Sequence, residues 1–158
     1  MSRKSILSFG LFLLLSLNVS DSFPFYGKDT DADRIIGRWV TEKKDLIVEV
    51  YKCQDQFKAR IIWFNDKDDL TRPMNVRGDD NNPDPALRSR KLLGLDVLKM
   101  LKYNKETSCW EDGLIYDADS GKEWSSCASM TPSGSLRVKG YWKFKFLSKS
   151  VDFFRLAK

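Results

Sequence analysis

Short runs of alternating apolar and polar residues, broken by turn-forming clusters, dominate this chain from residue 36 onward. Residues 36–41 (Ile36-Gly37-Arg38-Trp39-Val40-Thr41), 46–51 and 57–64 read as three strands. Their β-branched and aromatic residues favour strands over helices. Residues 42–45 supply the first turn. Residues 110–116 read as a strand with a bulge or bend at Gly113, and residues 117–121 as a tight turn. Residues 122–130, 136–142 and 151–156 complete the series. About eight short strands with regular turns predict an all-β fold, a sandwich or a closed antiparallel barrel. Closure removes exposed edges, and an eight-stranded barrel can hold one small ligand.

Two stretches break this rhythm. Residues 65–84 are acidic and without periodicity, so they predict a long loop, a length that is usually functional or disordered. Asp84-Pro85 reads as an N-cap followed by proline at the first helical position, starting a short helical turn. Residues 91–103 are ambiguous: Leu92, Leu95, Leu98 and Leu101 fit a short helix, and a strand fits almost as well.

Arg3-Lys4 followed by an apolar run over residues 6–17 and a polar exit over 18–22 reads as a secretory signal peptide. The run is shorter than the roughly 20 apolar residues that span a bilayer. The expected organisation is a signal peptide over 1–22, a flexible lead-in over 23–34 and a single barrel domain over 35–158. The expected location is periplasmic or secreted, with no membrane span after cleavage. Net charge is +5, which weakly favours anionic partners.

The chain has no histidine, which excludes Ser-His-Asp and Cys-His catalysis and His-ligated zinc as usually built. Its three cysteines are Cys53, Cys109 and Cys127. If Tyr116 faces Lys122 across the turn at 117–121, Cys109 and Cys127 are diagonal neighbours, too far apart for a relaxed disulfide. If Tyr116 faces Ser120, they stand directly opposite and can bond. Both registers stay open.

From Gly37 to the C-terminus the chain resembles a family of small secreted bacterial proteins catalogued as domain of unknown function 2147. The match is carried by Gly37-Arg38-Trp39, by the block Asp80-Asn81-Asn82-Pro83-Asp84-Pro85-Ala86-Leu87-Arg88-Ser89-Arg90, and by Trp110-Glu111-Asp112-Gly113-Leu114-Ile115-Tyr116-Asp117. Gly121-Lys122 and residues 136–141 add to it. The resemblance implies a lipocalin-like β-barrel in the bacterial envelope, with no established activity. The family tends to have Cys-Gly where this chain has Lys58-Ala59, so Cys53 lacks the partner its relatives offer. The chain also departs from the family over residues 147–151.

Gly37, Trp39 and Arg155 resemble the lipocalin closure signature: the indole plugs one barrel end and an arginine from the last strand covers its face. Asp80, Asn82 and Asp84 alternate like calcium ligands, but Pro85 and Lys91 occupy the positions that need a bend-forming glycine and a bidentate glutamate, so no metal is expected. Asn82 and Asp84 suit loop-fixing hydrogen bonds instead. Arg88 and Arg90 suit either the neighbouring acids or an anionic ligand at the barrel mouth.

Glu111 or Asp112 with Asp117 gives no acid/base pair, because alternation separates one pair and distance along the strand the other. Arg77-Gly78-Asp79 matches an adhesion tripeptide, for which chance is the better account. Lysines 139, 143, 145 and 149 interleave with Tyr141, Trp142, Phe144 and Phe146. That is the pattern of a strand with one wet face, Trp142, Phe144 and Phe146 inward.

The sequence thus predicts an exported, non-enzymatic binding protein for a small apolar or amphipathic molecule, with no cofactor and no nucleic-acid partner. Alternatives are an envelope interaction module, recognising a protein or polymer through the 65–84 loop and the basic strand, and a histidine-free hydrolase. The ligand-binding candidates are Asn82, Arg88, Arg90, Trp110, Asp112, Tyr116, Trp124 and Trp142. Trp110 and Tyr116 share a strand face by alternation.

Overall fold

Eight antiparallel strands close into a single barrel in the computed structural model, which describes residues 30–141 and 148–157. They are β1 (Gly37–Thr41), β2 (Leu46–Cys53), β3 (Gln56–Phe64), β4 (Asp96–Asn104), β5 (Cys109–Asp117), β6 (Lys122–Met130), β7 (Leu136–Tyr141) and β8 (Ser148–Arg155). Each strand pairs with its sequence neighbours, and β8 returns to β1 through Trp39 opposite Arg155 and Thr41 opposite Phe153. Helical structure among the described residues is limited to two 3-10 turns, Asp31–Ile35 and Pro85–Leu87, so none of it could cross a membrane.

Alternation carries one side chain in two to the inside. Val48, Val50, Phe57, Ala59, Leu98, Leu101, Trp110, Ala128, Leu136, Val138 and Phe153 form the buried core with Ile35 and Trp39. The largest members lie near one end, where β1 begins and β8 finishes: Trp39, Trp110, Phe57, Ile35, Leu101 and Leu136 are essentially inaccessible. Phe57 meets Trp110 edge-on at 6.4 Å between centroids, and Tyr103 tilts against the same indole at 5.1 Å. Rings packed this way exclude water and hold that end shut.

The lead-in expected to be flexible is anchored where it is described. Thr30 and Asp33 form a capping box that starts the turn Asp31–Ile35. The carbonyls of Ala32 and Ile35 accept the indole N–H groups of Trp110 (3.0 Å) and Trp39 (2.8 Å). A buried indole needs such a partner, and this turn supplies both. The expected signal peptide, residues 1–22, lies outside the described residues.

The ambiguous segment resolves as β4. Met100 adopts φ 64° and the β3–β4 register shifts beside it, between Phe57 and Ala59. This bulge puts Leu98 and Leu101, three residues apart, both on the inner face, where they pair with Ala59 and Phe57. The helix-like spacing of the leucines is the footprint of a bulged strand.

Candidate ligand-binding end of the barrel

The two barrel ends differ in what closes them. At the plugged end the Arg155 guanidinium lies 4.2 Å from the Trp39 ring centroid. Its Nη1 donates to the Ile36 carbonyl at 2.8 Å and its Nη2 donates to the Arg34 carbonyl. Burial draws this guanidinium below its ordinary pKa, and the two carbonyls and the indole face compensate the buried charge. Gly37 has φ 137°, and a Cβ there would meet Arg155 Nη1 at 2.6 Å. Glycine is what lets the arginine reach its seat.

The opposite end, the mouth, is framed by the 65–95 connection, the β5–β6 hairpin and the start of β8. Here inner-face residues are within reach of solvent. Val151 pairs with buried Val138, so it belongs to the inner face, yet it is 45% exposed. Trp124, opposite Ile115 on the inner face, is half-buried. Lys149, opposite Gly140, is exposed at the rim. Below them a row of small residues crosses three strands: Gly113 pairs with Ser126, and Ser126 with Gly140.

A strap from residue 77 to residue 92 lies against the outer face of β5 at Tyr116 and against the β5–β6 turn. Its two limbs pair through the Gly78–Lys91 bridge and the Asp79 N–H to Arg90 carbonyl bond. Asp79, fully buried, is the hub. It accepts from Tyr116 Oη at 2.6 Å, Asn82 Nδ2 at 2.8 Å and Arg90 Nε at 2.8 Å, and Arg90 Nη2 stands 2.7 Å away. Burial by itself would raise the Asp79 carboxyl. The Tyr116, Asn82 and Arg90 donors overcome that and hold it below its ordinary pKa. Tyr116 is pushed up, first by burial and then by its bond to Asp79. Asn81 Nδ2 donates to the Asp119 carbonyl at 3.0 Å, and Gly121 (φ 66°) faces Asn81 so closely that a Cβ would collide with its carbonyl. The strap therefore clasps the hairpin.

These positions redistribute the sequence candidates. Asn82 and Arg90 are spent on Asp79, and Arg88 Nε donates to the Asn82 carbonyl at 2.8 Å. Trp110 is part of the plug rather than a cavity wall. Asp112, at φ 57°, is exposed in a bulge between Trp110 and Gly113. That bulge reverses the alternation, so Tyr116 does not share Trp110's face: Trp110 points inward, and Tyr116 points outward under the strap. Asp117 accepts from Asp119 N and Ser120 Oγ, which fixes the turn, and it does not converge with Asp112 into an acid/base pair. Asp84 caps the second 3-10 turn through Ala86 N, and Asp80 pairs with Arg72 at 2.7 Å. Among the described residues no cluster of acids or cysteines could hold a metal. Trp142 and the expected inward Phe144 and Phe146 lie outside the described residues. Trp124 alone of the described aromatic candidates lines the inner face near the mouth.

No disulfide joins Cys109 to Cys127. Tyr116 faces Glu123, neither of the two partners considered, but past the Asp112 bulge Trp110 opposes Ala128, so the two cysteines are diagonal neighbours on the outer face, too far apart for a relaxed disulfide. Cys109 Sγ donates to the Thr107 carbonyl at 3.3 Å.

Several structural residues were not singled out by the sequence. Arg77 and Asp79, dismissed as part of a chance tripeptide, are both buried and fully engaged. Arg77 donates to the carbonyls of Arg72, Asp66 and Asp69 and pairs with Asp68 at 2.9 Å. Ser126 and Val151 were also missed. Their inner parity along β6 and β8 was the available signal.

Closure by Trp39 and Arg155, strict neighbour pairing of eight strands and one plugged end define a lipocalin-like barrel. The chain belongs to a bacterial family described as "Uncharacterized protein conserved in bacteria (DUF2147)", whose model matches residues 37–155. It is similar to a solved structure titled "Protein HP1028 from the human pathogen Helicobacter pylori belongs to the lipocalin family". The identity is 25% and the TM-score 0.65, over 78% of this chain and 83% of that one. No curated protein matches.

Proposed function

We propose that this protein is an exported, non-catalytic carrier whose barrel takes up a small apolar or amphipathic molecule through the mouth. The observation that carries this reading is the contrast between ends. Inner-face Val151 is 45% exposed at the mouth, whereas Trp39 at the plug is fully buried. A barrel serving only as a scaffold gains from burying such apolar surface at both ends. The lipocalin-like fold supports small-molecule binding, and the basic-apolar-polar leader over residues 1–22 supports export to the periplasm or beyond.

Native mass spectrometry of the protein purified from its own envelope tests the carrier. The expected result is a reproducible added mass, released on denaturation. A bare protein that also fails to take up the neutral apolar dye N-phenyl-1-naphthylamine would overturn the reading.

A second reading, an envelope interaction module, has one specific support. Phe154, Val40, Ile47 and Trp63 pair in succession across β8, β1, β2 and β3. They form an apolar row on the outer face, with Phe154 and Trp63 exposed. Loss of an envelope partner in Phe154→Ser with Trp63→Ser, with dye uptake unchanged, would favour that reading.

A further inference from the structure

Ser126 is fully buried on the inner face of β6, and its Oγ has no hydrogen-bond partner. It is the one such side-chain atom among the described residues. A buried hydroxyl without a partner is destabilising relative to one that is satisfied, so serine is an unfavourable choice at this position. Alanine would fit the same space without that cost.

The surroundings of the hydroxyl are unusual for a core. Its cross-strand neighbours on both sides are glycines, Gly113 and Gly140. A Cβ at Gly113 would sit 2.7 Å from Ser126 Oγ, so the hydroxyl lies directly over the bare Gly113 backbone. A Cβ at Gly140 would meet Ile115 Cγ2 at 3.2 Å. Leu101, whose Cδ2 reaches over Gly113, lies on the plug side. Half-buried Ile115 and Trp124 lie on the mouth side, one strand repeat above. The hydroxyl therefore sits where the solid plug gives way to the accessible half of the barrel. Ile115 and Trp124 are the inner-face side chains that stand between it and the mouth.

We infer that Ser126 is the polar anchor for the buried end of the barrel's ligand, which carries a neutral hydrogen-bonding group such as a hydroxyl or carbonyl on an apolar body. The inference rests on the carrier reading and deepens it. The group is neutral because the inner-face residues around Ser126 are Gly113, Ile115, Trp124, Ala128, Val138 and Gly140, and none can balance a charge. A charged end would belong at the rim, where Lys149 continues the Gly113–Ser126–Gly140 row to β8.

The test uses the mature protein and competition against N-phenyl-1-naphthylamine by 1-decanol and by n-decane. Wild type is expected to prefer decanol once each probe's water solubility is accounted for. Ser126→Ala is expected to lose about two- to tenfold in decanol affinity, the worth of one net hydrogen bond, with decane unchanged. Ser126→Cys, similar in size but a weak donor, is expected to fall between them. Unchanged discrimination in both variants, with dye uptake intact, would overturn the anchor and leave the carrier standing. Failure of wild type to take up the dye would overturn both.

Discussion

Tyr116 Oη donates to Asp79 Oδ1 at 2.6 Å across 37 residues of chain. One residue comes from the outer face of a barrel strand and the other from the strap that covers it. Removing the donor with Tyr116→Phe leaves Asp79 fully buried with one bond fewer, and should cost about 1–3 kcal/mol in urea denaturation. Asp79→Ala should cost more, because it also strands Arg90 and Asn82. Hydrogen exchange should then rise in the strap and the β5–β6 hairpin before it rises in β1 or β2.

The same pair sets a pH window. Asp79 has a lowered carboxyl pKa in the fold, so its stabilisation is present above the ordinary carboxylate range and is lost as pH falls through and below that range. Tyr116 has a raised pKa, so stability holds below the ordinary phenol value near 10 and declines above it. Stability against pH should therefore fall at both extremes. Tyr116→Phe should remove the alkaline share contributed by this residue.

Tyr51 gives an independent optical check. Burial and its 2.7 Å bond to Asp96 push its phenol up to about 12. A spectrophotometric titration should show a tyrosine ionising only near 12, beside the delayed Tyr116, and Tyr51→Phe should delete the step near 12. Ionisation of every tyrosine near 10 in the folded protein would contradict the Tyr51–Asp96 contact.

Gly37 and Gly134 both hold positive φ, but a Cβ meets Arg155 only at Gly37 and nothing within 4 Å at Gly134. Gly134→Ala should cost about 1–2 kcal/mol, from backbone strain alone. Gly37→Ala should cost roughly 1–2 kcal/mol more, because it also lifts Arg155 from Trp39 and from two carbonyls. Thermal denaturation of the two variants compares them directly.

Strands with regular alternation were legible in the sequence, because one buried face demands the period. The errors cluster where a single residue breaks that period. Gly113 announced a bulge or bend in this strand, but not that the extra residue would be Asp112, whose positive φ reverses the side on which Tyr116 emerges. Met100 does the same in β4, and makes its leucines look helical. At the strap the obstacle was different. Asp84-Pro85 revealed its capped turn, but Asp79 looked like any loop acid. Its role depends on Tyr116, Asn82 and Arg90 arriving from three places, which no local pattern records. Ser126 was hidden for the opposite reason: serine is ordinary in a strand, and only a partnerless buried hydroxyl makes it distinctive.

The suture at Trp39 and Arg155 brings the two margins of the domain side by side, since β1 and β8 are neighbours. The β6–β7 turn at 131–135 closes through local bonds, Thr131 N–H to the Ser135 carbonyl and Gly134 N–H to the Thr131 carbonyl. The order in which the strands are threaded is therefore separable from the shape they enclose. A circularly permuted gene that opens the chain at Gly134 and bridges the old margins with a short linker should yield the same barrel, with the same seat for the arginine.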